Sequence, residues 1–268
     1  MTKYKINYHL TEHCNFNCKF CFAKYEKEKK ALDEQKKAIE RIAECNLFDS
    51  LNFAGGEPLL DANISTLIKF AYEKGLKVSI ITNGYFLSDK LLKEISPYLS
   101  MIGISVHSFN DYTKREIGSC TNTGHTLTND KLIHICSEIK RLNPYCLLKI
   151  NSVICAKNKD EVLHKGIASL CKVDKWKCLK CQEFLDNEDM LVTKKEYERF
   201  IENNKTSCIK QVFEEDMKSS YIMMNPSLEL IRPSENGYET IGSFLNDDIC
   251  KMIEKLNLDN EEYQRRYK

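Results

Sequence analysis

Cys14-Asn15-Phe16-Asn17-Cys18-Lys19-Phe20-Cys21 is a C-x3-C-x2-C triplet that follows directly on Lys5–Leu10, an apolar run that reads as a strand. Three thiolates this close on one short loop suit three irons of a cubane [4Fe–4S] cluster, one thiolate to each iron. A closed structural zinc site wants a fourth ligand. A cube held at three corners instead keeps one iron open to a small molecule. The same residues allow two plainer readings: three scattered core cysteines, or a zinc ion completed by His9 or His13.

Outward from this loop, strand and helix alternate. A Lys/Glu-rich helix is predicted over about Leu32–Cys45, then a strand at Ser50–Phe53 ending in Gly55-Gly56. Helix Ile64–Glu73 stops at Gly75, strand Val78–Thr82 ends at Asn83-Gly84, and helix Leu87–Ile95 closes before Pro97. Strand Met101–Val106, helix Asn129–Leu142, strand Leu147–Ile154, helix Asp160–Leu170 and strand Lys175–Lys180 complete the series. Strands this apolar, separated by helical segments, indicate a parallel sheet of right-handed βαβ units. Six units fall two short of a closed eightfold barrel, so the expected fold is α/β, an open partial (β/α)6 barrel over residues 1–192. Residues 193–268 begin with a helix, Lys194–Asn203, and then mix short apolar runs with charge. They read as an extension covering the substrate end of the barrel.

Composition narrows the function. Of 268 residues, 42 % are apolar and 29 % charged, enough core and too little polarity for disorder. Forty basic against 39 acidic residues leave a net charge of +1, so no global field gathers nucleic acid and direct binding to it is not expected. Met1–Leu10 carries neither a signal sequence nor an Arg-rich leader, and no apolar run reaches the ~18 residues of a spanning helix. A cytoplasmic protein with no membrane contact is expected. Thirteen cysteines is an odd number, so they cannot all pair internally, and a reducing compartment with thiolates free for metal is the better inference.

Two motifs together carry a resemblance. The cysteine spacing resembles the signature of the radical S-adenosylmethionine (SAM) enzymes, and Ala54-Gly55-Gly56-Glu57-Pro58, one βα unit later, is similar to that family's GGEP motif. The resemblance implies a partial (β/α)6 core and a [4Fe–4S] cluster on Cys14, Cys18 and Cys21. It implies that the free iron binds the amino and carboxylate groups of SAM, whose one-electron cleavage yields a 5′-deoxyadenosyl radical. Gly55, Gly56, Glu57, Asn83, Ser105 and Ser108 are the implied cofactor-binding residues. Paired glycines would let backbone carbonyls approach the SAM ammonium, with Pro58 fixing the turn.

Further strings narrow the branch. Asn7-Tyr8-His9-Leu10-Thr11, Asn52-Phe53-Ala54, Thr82-Asn83-Gly84, Ile104-Ser105, Ser108-Phe109, Lys149–Ile154, Lys175-Trp176-Lys177, Thr206-Ser207-Cys208 and Met217–Tyr221 resemble the viperin family in order, from about Lys5 to Met224. That family's prokaryotic members imply a nucleotide dehydratase of antiviral defence. A radical would take the C4′ hydrogen of a ribonucleoside triphosphate, CTP or UTP before GTP, the C3′ hydroxyl would leave, and one more electron would complete the product. The 3′-deoxy-3′,4′-didehydro product, lacking a 3′ hydroxyl, terminates viral RNA. Implied partners are the nucleotide and a flavodoxin- or ferredoxin-type electron donor, with the enzyme a monomer.

The chemistry asks for clustered cations, since a triphosphate carries about four negative charges. Lys175 and Lys177 lie two apart on one strand, hence on one face, as do Lys149 and Asn151 on the strand before. Inward lysines on adjacent strands are costly unless an anion neutralises them. This assigns Lys149, Asn151, Lys175 and Lys177 to phosphate and ribose; the alternative is a solvent-facing strand edge. Tyr221 is the candidate donor of a proton or hydrogen atom to the departing hydroxyl, and Lys149 is placed with it as catalytic; the alternative for Tyr221 is aromatic packing.

The chain departs from the family pattern at Ser50 (Lys there), Ala54 (Ser), His107 within Ser105-Val106-His107-Ser108 (Asp) and Ser119 (Arg). The Arg would pair with the SAM carboxylate, and Lys114 and Arg115 are the candidates to take its place. Cys178 and Cys181, with Cys171 or Cys208, could form a second metal centre, but packing is the better reading. Two rival functions stand beside the dehydratase: another radical SAM reaction, such as a glycyl-radical activase or a peptide-modifying enzyme, and a zinc-binding interaction module.

Overall fold

The computed structural model describes residues 3–23, 27–184, 187–215, 220–234 and 237–267. Met217, Lys218 and Ser219 of the family-like string lie outside the described residues. By its internal packing the chain divides into two compact units, the first made of residues 1–13, 23–80 and 217–268, the second of 14–22 and 81–216.

In the first unit, β1 (Tyr4–His9), β2 (Phe48–Ala54) and β3 (Lys77–Thr82) are parallel neighbours, with Asn7 opposite Asn52 and Asn52 opposite Ser79. Alternation sorts the two faces. Ile6, Tyr8, Leu51, Phe53, Val78 and Ile80 are fully buried, as are Ile39 and Ile42 of α1 (Leu32–Glu44) and Leu67 and Ile68 of α2 (Ile64–Glu73). The other face is polar: Asn52 Nδ2 donates to Asn7 Oδ1 (3.1 Å) and Ser79 Oγ to Asn52 Oδ1 (2.9 Å).

The second unit holds four parallel strands in the order β4 (Leu99–Ser105), β5 (Leu147–Ile154), β6 (Lys175–Lys180) and β7 (Lys210–Glu214). Its helices are α3 (Asp89–Ile95), α4 (Asp111–Glu116), α5 (Asn129–Leu142), α6 (Leu163–Ala168) and α7 (Lys194–Asn203). Polar caps fix where four of these helices begin: the Ser88, Asn110, Thr128 and Thr193 side chains each accept a first-turn backbone N–H. Thr193 and Glu196 close a capping box. The short α4 escaped the sequence reading because six residues carry too little periodicity.

The tail does more than the sequence suggested. Besides α7 and β7 it supplies β8 (Met223–Met224), parallel to β1, and the antiparallel ribbon β9 (Glu229–Ser234) and β10 (Gly237–Ser243), so the first unit's strands run β10-β9-β8-β1-β2-β3. After α8 (Ile249–Lys255), helix α9 (Asn260–Tyr267) docks on β1, where the Tyr263 hydroxyl accepts the Lys5 N–H at 2.5 Å. Among the described residues no helix is long and apolar enough to cross a membrane.

A buried relay ties the second unit's strands together. Trp176, with no exposed surface, donates its Nε1–H to Ser152 Oγ (3.0 Å), and that hydroxyl donates to the Val106 carbonyl (2.5 Å). Ser152→Ala strands a buried donor and acceptor, and should lower unfolding free energy in urea by about 1–3 kcal/mol. An unchanged midpoint would show that the relay contributes nothing.

Candidate functional site

The cysteine loop belongs to the second unit and is fixed by backbone, not by its thiols. Asn17 N–H donates to the Gly118 carbonyl and Lys19 N–H to the Ile117 carbonyl, each at 3.0 Å, and Cys21 N–H to the Cys18 carbonyl at 3.1 Å. The approach is close: a Cβ on Gly118, whose φ is +77°, would lie 2.0 Å from the Asn17 carbonyl oxygen, so only glycine fits. Phe20 is buried against Ile117, Cys155, Cys181 and Met190, and its ring meets the His107 ring edge-on at 4.7 Å. Phe16, also buried, meets Tyr85 at 5.6 Å. Anchored by these two rings, the loop leaves Cys14 exposed and Cys18 and Cys21 half-buried.

The three thiols feel one another. Burial, then the neighbouring Cys21 and Cys14, raises the Cys18 thiol well above its ordinary range, against a hydrogen bond with the Ser119 side chain. Thiolates crowded in this way ionise together only when a cation compensates them. Among the described residues no three His, Cys, Asp or Glu side chains converge on a single point, as ligands of one ion do. A cubane makes a different demand, because each thiolate binds its own iron and the sulfurs must stand apart. The donor set, three mutually repelling thiols on a rigid loop, fits that group.

The glycine turn belongs to the first unit. Gly56 N–H donates to the Thr11 carbonyl (2.7 Å) and Glu57 N–H to the His13 carbonyl (2.8 Å). A Cβ on Gly55 (φ +131°) would lie 2.4 Å from the Thr11 oxygen, and one on Gly56 2.3 Å from the His13 oxygen. The glycines are thus required by the approach to Thr11–His13, the residues that lead into Cys14, a reason the sequence reading did not find. Glu57 is fully buried and its carboxylate accepts the Leu59 N–H at 3.1 Å. His9 is buried in β1, and burial pushes its pKa down to about 4.

Beside the cysteine loop, a crevice of the second unit is lined by Phe16, Asn83, Ser105, His107, Ser108 and Ser119 among others. It gathers three of the cofactor residues expected from the sequence: Asn83, Ser105 and Ser108. Asn83 braces the loop, donating to Asn15 Oδ1 (2.8 Å) and Cys14 Sγ (3.8 Å) and accepting the Tyr85 N–H (2.9 Å). The Ser108 hydroxyl is committed to the Glu161 carboxylate (2.7 Å) and accepts the Asn110 N–H (2.9 Å). Lys114 also lines the crevice, but its ammonium donates to Asp111 (3.0 Å), the Leu127 carbonyl (2.9 Å) and Asn129 (3.0 Å). All three N–H bonds are taken, so Lys114 does not stand in for the arginine that Ser119 replaces. Arg115 turns its Nε to the Gly124 carbonyl at 3.1 Å.

Across β4, β5 and β6 the register sets Lys149 opposite Lys175, and Ser105, Asn151 and Lys177 in one row two residues further on. Ile150, Ser152, Trp176 and Cys178, fully buried, face the other way. Lys177 is only 4 % exposed, which removes the strand-edge alternative for it, and its ammonium lies 2.5 Å from the equally buried Glu214 of β7. The anion that the sequence argument demanded is therefore present within the chain. Glu214 went unnoticed because β7 sat in a stretch read only as tail. The Asn151 side-chain oxygen is buried and has no hydrogen-bond partner. Tyr221 belongs to the first unit, half-buried, with the Arg266 guanidinium 4.2 Å from its ring centroid and Tyr267 at 6.2 Å.

Cys178 and Cys181 are buried, and burial raises both thiols, Cys181 to about 12. Cys181 packs with Phe20 and Cys155. These are core thiols.

A model of the radical SAM superfamily matches residues 8–148. The chain is 34 % identical over 271 residues to an S-adenosylmethionine-dependent nucleotide dehydratase of Selenomonas ruminantium, covering 98 % of each protein. It is 32 % identical to one of Fibrobacter sp., covering 98 % of this chain and 87 % of that one. A rainbow trout relative (Oncorhynchus mykiss) of the same name, with the suffix RSAD2, is 26 % identical, covering 99 % and 79 %. Among solved structures, native anSMEcpe with bound AdoMet gives a TM-score of 0.72 at 14 % identity, covering 97 % of this chain and 82 % of that one. Streptococcus suis SuiB bound to S-adenosylmethionine gives 0.71 at 13 %, covering 98 % and 67 %. At such identities the likeness speaks for fold alone, and it agrees with the α/β partial barrel expected from the sequence.

The buried pair makes a stability prediction. Lys177→Ala leaves Glu214 buried and uncompensated, and should cost about 3–5 kcal/mol in denaturant unfolding. Replacing both together, Lys177→Met with Glu214→Leu, should recover most of the loss. Equal instability of the single and double variants would contradict the pairing.

Proposed function

Because the chain belongs to the radical SAM superfamily, and within it to the S-adenosylmethionine-dependent nucleotide dehydratases of the viperin family, we propose that it dehydrates a pyrimidine ribonucleoside triphosphate, CTP or UTP. It is an enzyme of that type, and it depends on SAM. The product on this reading is the 3′-deoxy-3′,4′-didehydro nucleotide, a chain terminator made against viruses in a reducing cytosol, by a monomer that takes electrons from a flavodoxin- or ferredoxin-type protein.

The single observation that carries the substrate assignment is the row of Lys149, Asn151, Lys175 and Lys177 on one face of adjacent strands, with the Asn151 oxygen buried and unpaired. A buried acceptor without a donor is costly, and a ribose hydroxyl would satisfy it. Lys149 and Lys175 are half-buried and stand opposite each other on that same face. Lys177 already has Glu214, so a phosphate must share or take over that ammonium.

Cys14, Cys18 and Cys21 would hold a [4Fe–4S] cluster, with SAM in the crevice beside them. When bound, the two supply a one-electron cleavage whose product takes hydrogen from C4′ of the substrate. The rest falls to side chains. Asn83 holds the cysteine loop in place through Asn15, and Gly55 and Gly56 brace the segment entering Cys14. The Tyr221 phenol is the proposed proton donor as the C3′ hydroxyl departs as water, with one further electron from the flavodoxin- or ferredoxin-type donor closing the product; its ring is held against Arg266.

Cys18→Ala should abolish iron incorporation on anaerobic reconstitution and all SAM cleavage. Full iron content with persistent cleavage would remove Cys18 from the ligand set. For the substrate, an equimolar mixture of CTP, UTP, GTP and ATP is given to the reconstituted enzyme with SAM and reductant. Mass spectrometry should show CTP or UTP converted to a product one water lighter, in step with 5′-deoxyadenosine. Formation of 5′-deoxyadenosine with all four nucleotides intact would sink the assignment in favour of another radical SAM reaction.

A further inference from the structure

We propose that His107 is a SAM-binding residue, donating its Nε2–H to an oxygen of the cofactor, the methionine carboxylate or a ribose hydroxyl. The inference rests on the reading above that SAM occupies the crevice beside the cysteine loop.

The tautomer follows from the backbone. His107 Nδ1 accepts the Val153 N–H at 3.0 Å, which requires a lone pair there and puts the ring proton on Nε2. The residue is 7 % exposed, and burial keeps the ring neutral, its pKa pushed down to about 4. Its orientation is locked on two further sides. The Phe20 ring meets it edge-on, and its backbone carbonyl accepts Asn158 Nδ2 at 2.8 Å. Nε2 has no hydrogen-bond partner among the described residues, and His107 is one of the residues lining the crevice. A fixed, neutral N–H donor thus stands at a place where other donors are committed. Lys114 has spent all three N–H bonds, the Ser108 hydroxyl goes to Glu161, and the Asn83 amide goes to the cysteine loop. Any oxygen of SAM buried here needs a donor. Of those left, the Ser105 hydroxyl rotates and the Ser119 side chain already bonds the Cys18 thiol, whereas the His107 ring is fixed.

The test uses the cluster-loaded protein under anaerobic conditions, with SAM affinity read by calorimetry. His107→Asn keeps an acceptor for the Val153 N–H but has nothing at the Nε2 position; His107→Gln can restore a donor there. His107→Asn should weaken SAM about tenfold, and His107→Gln should stay within about threefold of the native protein. 5′-Deoxyadenosine, which has the ribose but no carboxylate, separates the two acceptors. A loss for both ligands points to the ribose, and a loss for SAM alone to the carboxylate. Native affinity in His107→Asn, or equal losses in both variants, would overturn the proposal. Should His107→Asn fail to hold its cluster, the native protein decides, by the 15N-resolved Nε2–H signal of His107: it should shift and exchange more slowly when SAM is added, and an unmoved signal would refute the assignment. Failure of the native protein to bind SAM at all would instead defeat the reading of the crevice itself.

Discussion

Three thiols on an eight-residue loop repel one another once ionised, so something other than the thiols must hold the loop. Here it is the backbone. Gly118 lies so close under Asn17 that no side chain could intervene, and the Gly55-Gly56 turn lies as close against Thr11–His13. Both ends of the approach to Cys14 are therefore set by carbonyl and amide contacts, which are directional and cannot be shed inside a protein without a penalty. Phe16 and Phe20 are buried, and the three cysteines of the loop remain at the surface or half-buried. A loop built in this way presents donors in fixed places before any metal arrives, which lowers the ordering cost of binding.

The second physical problem is buried charge. A lysine as enclosed as Lys177 is unstable alone, and the chain answers with Glu214 at 2.5 Å. Such a pair adds little to stability against an apolar replacement, yet it keeps a cation ready at a place where a polyanion is expected. Around it, Lys149, Lys175 and Asn151, whose buried side-chain oxygen has no hydrogen-bond partner, make a polar face, while the opposite face of the same strands is closed by Trp176, Ser152 and Cys178.

Much of this was legible in the sequence. The bounds read from the sequence for Leu147–Ile154 and Lys175–Lys180 are those of β5 and β6, and period-two spacing puts Lys149 with Asn151 and Lys175 with Lys177. The cysteine spacing and the paired glycines located the loop and the turn. What stayed hidden depended on contacts remote in sequence. Nothing in Phe213-Glu214-Glu215 announces that one of these acids is buried beside Lys177. Nothing local in Ile117-Gly118-Ser119 tells that it cradles the cysteine loop, or in Lys114 that all its hydrogen bonds are internal. The last strands were missed because two-residue β8 and the irregular ribbon after it lack periodicity, and their pairing is decided by β1.

The central claim is that the cysteine triplet holds a cube with one iron open to SAM. Electron paramagnetic resonance of the dithionite-reduced protein, recorded without and with SAM, addresses it most directly. The expected result is a cubane signal whose g values change when SAM is added, as they would if the cofactor entered the coordination sphere of the unique iron. A signal indifferent to SAM, from a cluster with protein ligands at all four irons, would contradict it.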